Sequence, residues 1–170
     1  MPVKPSKLLF MHPLDSIDIR ILQLLQHDAR LTNKEVADKL GKSVTPVYER
    51  IKRLEDEGYI MRYVALVNKD LVGKHLTAFT TVEMKECSTN ALRGFEREVI
   101  KFPEVMECYH LTGQFDFLLK IAIRDMVEYN GFLMNKLATL PNVGGLETFF
   151  ALSEGKKETA YALEVAKRGK

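Results

Sequence analysis

Apolar residues follow two different rhythms along this chain. Between Leu14 and Leu54 they recur every three or four positions, the period of helices with one buried face. From Leu76 onward, alternating or continuously apolar stretches typical of strands are interleaved with further helical ones. In the first part, Ile17, Ile21, Leu24 and Leu25 share a stripe, with Asp15 as N-cap and Leu14 and Ile19 at staple positions. Thr32 and Glu35 spell a capping box, flanked by Leu31 and Val36, and open a second helix ending at Leu40. Ser43 is expected to cap a third helix, with Pro46 in its first turn, where a missing N–H costs nothing. Val44, Val47, Ile51 and Leu54 form the inner face of that helix.

The second and third helices, joined by Gly41-Lys42-Ser43, read as a helix-turn-helix, a shape that fits the major groove of double-stranded DNA. Winding the third helix at about 100° per residue points Thr45, Glu49, Lys52 and Arg53 outward, with Tyr48 and Arg50 on the flanks. Thr45 suits a thymine methyl and Glu49 a cytosine amino group, while Lys52 and Arg53 suit phosphate or guanine. The candidate DNA-contacting set is therefore Ser43, Thr45, Pro46, Tyr48, Glu49, Arg50, Lys52 and Arg53. From Lys39 to Arg53 five basic residues face one acid, whereas the whole chain carries a net charge of only +2. Positive charge is thus local to the turn and third helix. A monomer neutralising so few phosphates binds weakly, so two copies are expected on DNA.

Beyond Gly58 the composition turns β-branched and aromatic, and residues 59–68 are predicted to form a wing and a connecting strand. Strands are then predicted over 76–85, 105–111, 117–123 and 146–153, with helices opening near Asn90 and at Asp125. The first helix aligns Leu92, Phe95 and Val99; the second aligns Met126, Tyr129, Leu133, Leu137 and Leu140 and stops at Pro141. This order is βαββαβ, the ferredoxin-like plan, so the fold class is α+β: an N-terminal winged helix-turn-helix, then a ferredoxin-like domain. Right-handed crossovers place both helices on one sheet face. The other face carries Phe79, Tyr109 and Phe149 among polar residues, a half-apolar surface suited to a second copy of the chain.

The expected divisions are a flexible leader over 1–13, a winged helix-turn-helix over 14–64 and a linker strand over 65–74. A ferredoxin-like effector-binding and oligomerisation domain then spans 75–154, followed by a tail over 155–170 whose conformation the pattern leaves open. No apolar run reaches membrane-spanning length and the start lacks a secretory apolar core, so a cytoplasmic protein with no membrane partner is expected. Cys87 and Cys108 match no metal spacing and read as free thiols. His12, His27, His75 and His110 are scattered, so no metal, cofactor or catalytic residue is expected.

Together, Leu14-Asp15-Ser16-Ile17-Asp18, the run from Tyr48 through Leu54 to Ile60 and the βαββαβ pattern resemble the Lrp/AsnC family of feast/famine transcriptional regulators. The resemblance covers residues 14 to about 153. It implies a C-terminal RAM-type domain that senses a small molecule, an amino acid or a related compound, with a Gly-x-x-Asp hairpin that stands here as Gly113-Gln114-Phe115-Asp116. Gly113 supplies the positive-φ turn, and Asp116 offers a carboxylate to an ammonium group. By resemblance, effectors bind between dimers, near Leu111, Thr112, Gly113, Asp116, Met126, Phe149, Phe150 and Ala151. The adjacent phenylalanines Phe149 and Phe150 are expected to narrow that pocket. The resemblance implies a sequence-specific, non-enzymatic regulator, assembling as a homodimer and further to an octamer. Two alternatives share the plan. A siroheme-decarboxylase-like enzyme requires organised histidines and arginines, whereas His75, His110, Arg93, Arg97 and Arg124 stand isolated. An amino-acid sensor that no longer touches DNA is the other.

Overall fold

A computed structural model describes residues 13–164, which leaves most of the expected leader and the end of the tail outside the described residues. The described residues divide into two units. One comprises residues up to 66 together with 156–164, and the other Val67–Gly155.

The first unit contains α1 (Ser16–His27), α2 (Asn33–Leu40) and α3 (Val44–Asp56). Asp15 caps α1 by accepting from the N–H groups of Ile17 and Asp18, while Asp18 reaches back to the Asp15 N–H, a reciprocal box. Thr32 and Glu35 close the same box on α2, and Gly41, in the left-handed conformation at φ 62°, ends it. Ser43 occupies the N-cap position of α3 but its hydroxyl makes no capping hydrogen bond, contrary to expectation. Ile21, Val36, Ala37, Val47, Ile51 and Leu54 fill the core, flanked by Leu14, Leu31, Tyr59 and Ile60. Val44, expected inside, is 43% exposed, because it begins α3 ahead of the turn that packs.

No strand forms in residues 59–75, so the expected wing and linker strand are absent among the described residues. A strand needs a ladder partner, and among the described residues of this unit no other strand stands to supply one. Ile60 instead donates its N–H to the Leu54 carbonyl, and the Tyr63 hydroxyl bonds Glu55 at 2.7 Å. Residues 156–164 join this unit: the Gln26 amide clamps Tyr161 by its N–H (2.7 Å) and carbonyl (3.3 Å), Gln23 bonds the Leu163 carbonyl, and Leu163 packs on the helical core.

The second unit runs β1 (Leu76–Met84), α4 (Thr89–Val99), β2 (Val105–His110), β3 (Phe117–Ile123), α5 (Met126–Phe132), a π turn (Leu133–Leu137) and β4 (Val143–Phe150). The antiparallel sheet has strand order β2-β3-β1-β4, which the βαββαβ connectivity requires. Ala78, Val82, Leu119, Ile121 and Ile123 meet Phe95, Val99, Tyr129, Phe132 and Leu137 on one face. The last helix departs from expectation: Ala138 donates to the Leu133 carbonyl five residues back, and Met126 is 54% exposed rather than part of the buried stripe. β4 starts three residues earlier than predicted. Gly144 and Gly145 lie inside it rather than in a turn, because a Cβ there would come within 3.2 Å of the Glu83 or Lys85 atoms at a β1 bulge.

Candidate functional sites

Of the candidate DNA-contacting residues, Ser43, Thr45, Pro46, Tyr48, Glu49 and Lys52 are exposed at the start and along the outer face of α3. Arg50 and Arg53 behave differently. Arg50 Nη1 lies 2.7 Å from both Asp15 Oδ2 and Asp18 Oδ1, and Arg53 Nη2 lies 2.6 Å from Asp18 Oδ2. The Asp18 side chain is 1% exposed, so two guanidinium groups of α3 close over a buried carboxylate of α1. Arg53, expected to point outward, is turned inward by this pairing. The hydrogen bonds that Arg50 donates to Asp15 and Asp18 raise its pKa, and the bond to Asp18 raises that of Arg53. Partial burial pushes Asp15 up, but the Asp18 N–H, the Arg50 guanidinium and the Ile17 N–H outweigh it and hold the carboxyl below its ordinary value. The sequence pattern showed each charge; it gave no sign of the pairing, which joins residues 32 to 35 positions apart.

In the second unit, Gly113 has φ 128° and turns the β2–β3 connection, while the Leu111 N–H bonds the Asp116 carbonyl at 2.8 Å. Asp116 is already engaged: Oδ2 accepts from the Met84 N–H at 2.7 Å and Oδ1 lies 3.5 Å from the Cys87 thiol. That bond, followed by slight burial and nearby carboxylates, raises the Cys87 pKa. Half-burial pushes the other thiol, Cys108, up to about 11.

The eight candidate effector residues do not gather into one cluster within the unit. Leu111, Thr112, Gly113 and Asp116 adjoin the Val82–Met84 end of β1, as the Asp116 N–H to Val82 carbonyl bond shows. Ala151 bonds the Thr77 carbonyl at the other end, and Met126 follows Ile123, the partner of Leu76. Thr77 and Val82 stand five residue steps apart on β1, about 17 Å at the usual rise. Phe149 and Phe150 also point to opposite faces: Phe150 meets the Tyr129 ring edge-on at 5.0 Å in the core, whereas Phe149 is 53% exposed on the other face. Phe150 is therefore a packing residue, and the two phenylalanines do not jointly narrow a pocket. A groove of about 600 Å³, lined by Lys85, Asn90, Gly94, Arg97 and Asn142 among others, contains none of the eight.

Among the described residues no three His, Cys, Asp or Glu side chains group as metal ligands, and no helix is long and apolar enough to cross a membrane.

Comparison with known proteins accords with this two-part layout. Residues 14–61 match the winged helix-turn-helix DNA-binding model, and residues 77–161 match that of the Lrp/AsnC ligand binding domain. The Bkd operon transcriptional regulator of Pseudomonas aeruginosa is 36% identical over 142 residues, covering 84% of this chain and 93% of its own. The leucine-responsive regulatory protein of Escherichia coli K12 is 34% identical over 151 residues, covering 89% and 92%. A transcriptional regulator of Neisseria meningitidis, solved as a complex with L-Met, superposes with a TM-score of 0.83 at 36% identity, covering 88% and 96%. The chain belongs to the Lrp/AsnC family of DNA-binding transcriptional regulators, residues 14–61 matching the DNA-binding model and residues 77–161 the ligand-binding one.

Proposed function

We propose that this regulator binds DNA in the cytoplasm as a two-fold dimer and changes its affinity on binding a free amino acid, transforming no substrate. The observation that carries the DNA half is the exposed row Thr45, Tyr48, Glu49 and Lys52 along α3, with Ser43 and Pro46 at its start. In a dimer, two such helices enter successive major grooves about 34 Å apart, and an imperfect palindrome is the matching site. Dimerisation has its support in the open sheet face, where Phe79, Tyr109, Leu118 and Phe149 lie among polar groups.

The amino-acid half rests on the ligand-binding family match and on the relative crystallised with L-Met. The separation of the candidate residues along the sheet fits a site to which two protomers contribute, the hairpin of one and the Met126–Ala151 end of another. Such a site makes effector binding and assembly linked equilibria, and assembly to an octamer supplies the interfaces. The test is capture of sheared genomic DNA from the source organism by the purified protein, with and without a pool of amino acids. Recovery of a few palindromic sites with amino-acid-dependent yield is expected. Sequence-blind recovery in both conditions refutes the reading.

A further inference from the structure

We propose that Asp18 is the positioning residue of the recognition helix. It holds Arg53, and with Asp15 holds Arg50, out of DNA contact, so that phosphate binding falls to lysines of α2, the turn and α3. The inference rests on the DNA-binding reading and divides the labour within it.

Three observations support that division. First, Asp18 is buried and both of its oxygens are saturated by guanidinium groups at 2.6–2.7 Å, one oxygen also accepting the Asp15 N–H. A carboxylate buried to 1% exposure is tolerable only while paired, so releasing either arginine toward a phosphate would cost one of its oxygens its cation. Second, each arginine side chain is itself only about 30% exposed, at 31% and 29%. Third, pairing cancels the charge that made α3 look strongly basic. With Arg50 and Arg53 committed, the exposed charges left over residues 44–53 of α3 are Glu49 and Lys52, and the exposed lysines Lys34, Lys42 and Lys52 form no ion pair among the described residues. A near-neutral outer face reads bases by hydrogen bonds and methyl contact, leaving long-range attraction to lysines at its margins.

Salt dependence separates a phosphate contact from a structural strut, because each neutralised phosphate adds about 0.9 to the slope of log K against log salt. Binding of the full-length protein to a captured duplex is measured by fluorescence anisotropy between 50 and 300 mM KCl, with folding verified by circular dichroism. The variants are Lys42→Ala, Lys52→Ala and the double replacement Asp18→Asn/Arg53→Gln, which removes both charges and keeps hydrogen-bonding groups in place. Arg53→Gln alone takes the cation from Asp18 Oδ2 and leaves Arg50 as its remaining charged partner, so the double replacement carries the comparison. Each lysine variant is expected to lower the slope by about 0.9 per lost contact, about 1.8 for a dimer. The double variant is expected to bind several-fold more weakly, through a looser α3, with the wild-type slope. A slope in the double variant reduced as far as in the lysine variants overturns the inference and leaves the regulator reading standing. Absence of salt-dependent binding by the wild-type protein overturns both.

Discussion

Phe79 on β1 and Phe149 on β4 are direct register partners on the sheet face opposite the two helices. Lys120 follows Phe79 in the same cross-sheet row and pairs with Glu107 at 2.8 Å, so an aromatic pair continues into an ion pair. Phe149 is 53% exposed and supports nothing beneath the sheet. Phe149→Lys is expected to leave the fold intact and to weaken the dimer about 10- to 100-fold, the loss of one buried aromatic side chain. Sedimentation velocity across a dilution series measures it. Unchanged sedimentation places the dimer contact on another surface.

Asp116 makes a structural contact and is proposed to make an effector contact, and two substitutions distinguish them. Its Oδ2 satisfies the Met84 N–H at the end of β1. Asp116→Ala removes that acceptor and is expected to cost about 1–3 kcal/mol, read from urea unfolding. Asp116→Asn keeps an oxygen in place and should be near wild type in stability, yet lose any amino-acid response that depends on a carboxylate. It should also hasten alkylation of Cys87 at pH 8, since the Asp116 bond is the first cause of that thiol's raised pKa. An amino-acid titration curve for Asp116→Asn matching wild type would remove Asp116 from the effector site.

Local rules made the helices and strands legible. The boxes Asp15/Asp18 and Thr32/Glu35 involve residues three apart, and each forms where short-range chemistry places it. Strand β3 was readable because Phe117 to Ile123 is apolar with turn signals on both sides. What escaped depends on partners distant in sequence. Gly144 and Gly145 look like a turn until β1 is seen 3.2 Å from where their Cβ atoms would be. The inward turn of Arg53 cannot be seen by winding a helix, since that operation assigns direction without knowing that Asp18 is buried below. The effector residues, carried over one by one, gave no spacing along the sheet; only strand registers revealed that they occupy both ends.

The docked tail offers a third prediction. Gln26 both accepts from and donates to the Tyr161 backbone, and Leu163 packs beside the helical core. Gln26→Ala leaves that backbone unpaired at an exposed site, so a loss of about 0.5–1.5 kcal/mol in the first unit is expected. Limited proteolysis should then cut within residues 156–164 sooner than in wild type. Equal cleavage rates would mean that Leu163 packing alone retains the segment.

Acid provides the final test, because carboxylates with lowered pKa values occur in both units. In the first, Asp15 is held low by the Asp18 N–H, the Arg50 guanidinium and the Ile17 N–H, against the upward push of partial burial. In the second, the Glu128 N–H and the Arg124 side chain lower Asp125, while the Arg124 N–H and Lys74 lower Glu128. A carboxylate whose folded pKa lies below its unfolded value favours the folded state above the unfolded pKa, and that contribution disappears as pH falls through the folded one. The melting temperature should therefore be nearly level above about pH 5 and fall as pH is taken from 4 toward 2, around and below the ordinary carboxylate range. Asp15→Asn removes one of these titrating groups while keeping an oxygen for the α1 cap. Its melting temperature at pH 7 should be lower than wild type, and the difference should shrink as pH drops, since protonation removes the same charge from the wild-type protein. A difference that stays constant from pH 7 to pH 2.5 would show that Asp15 acts through its cap alone and not through its pairing with Arg50.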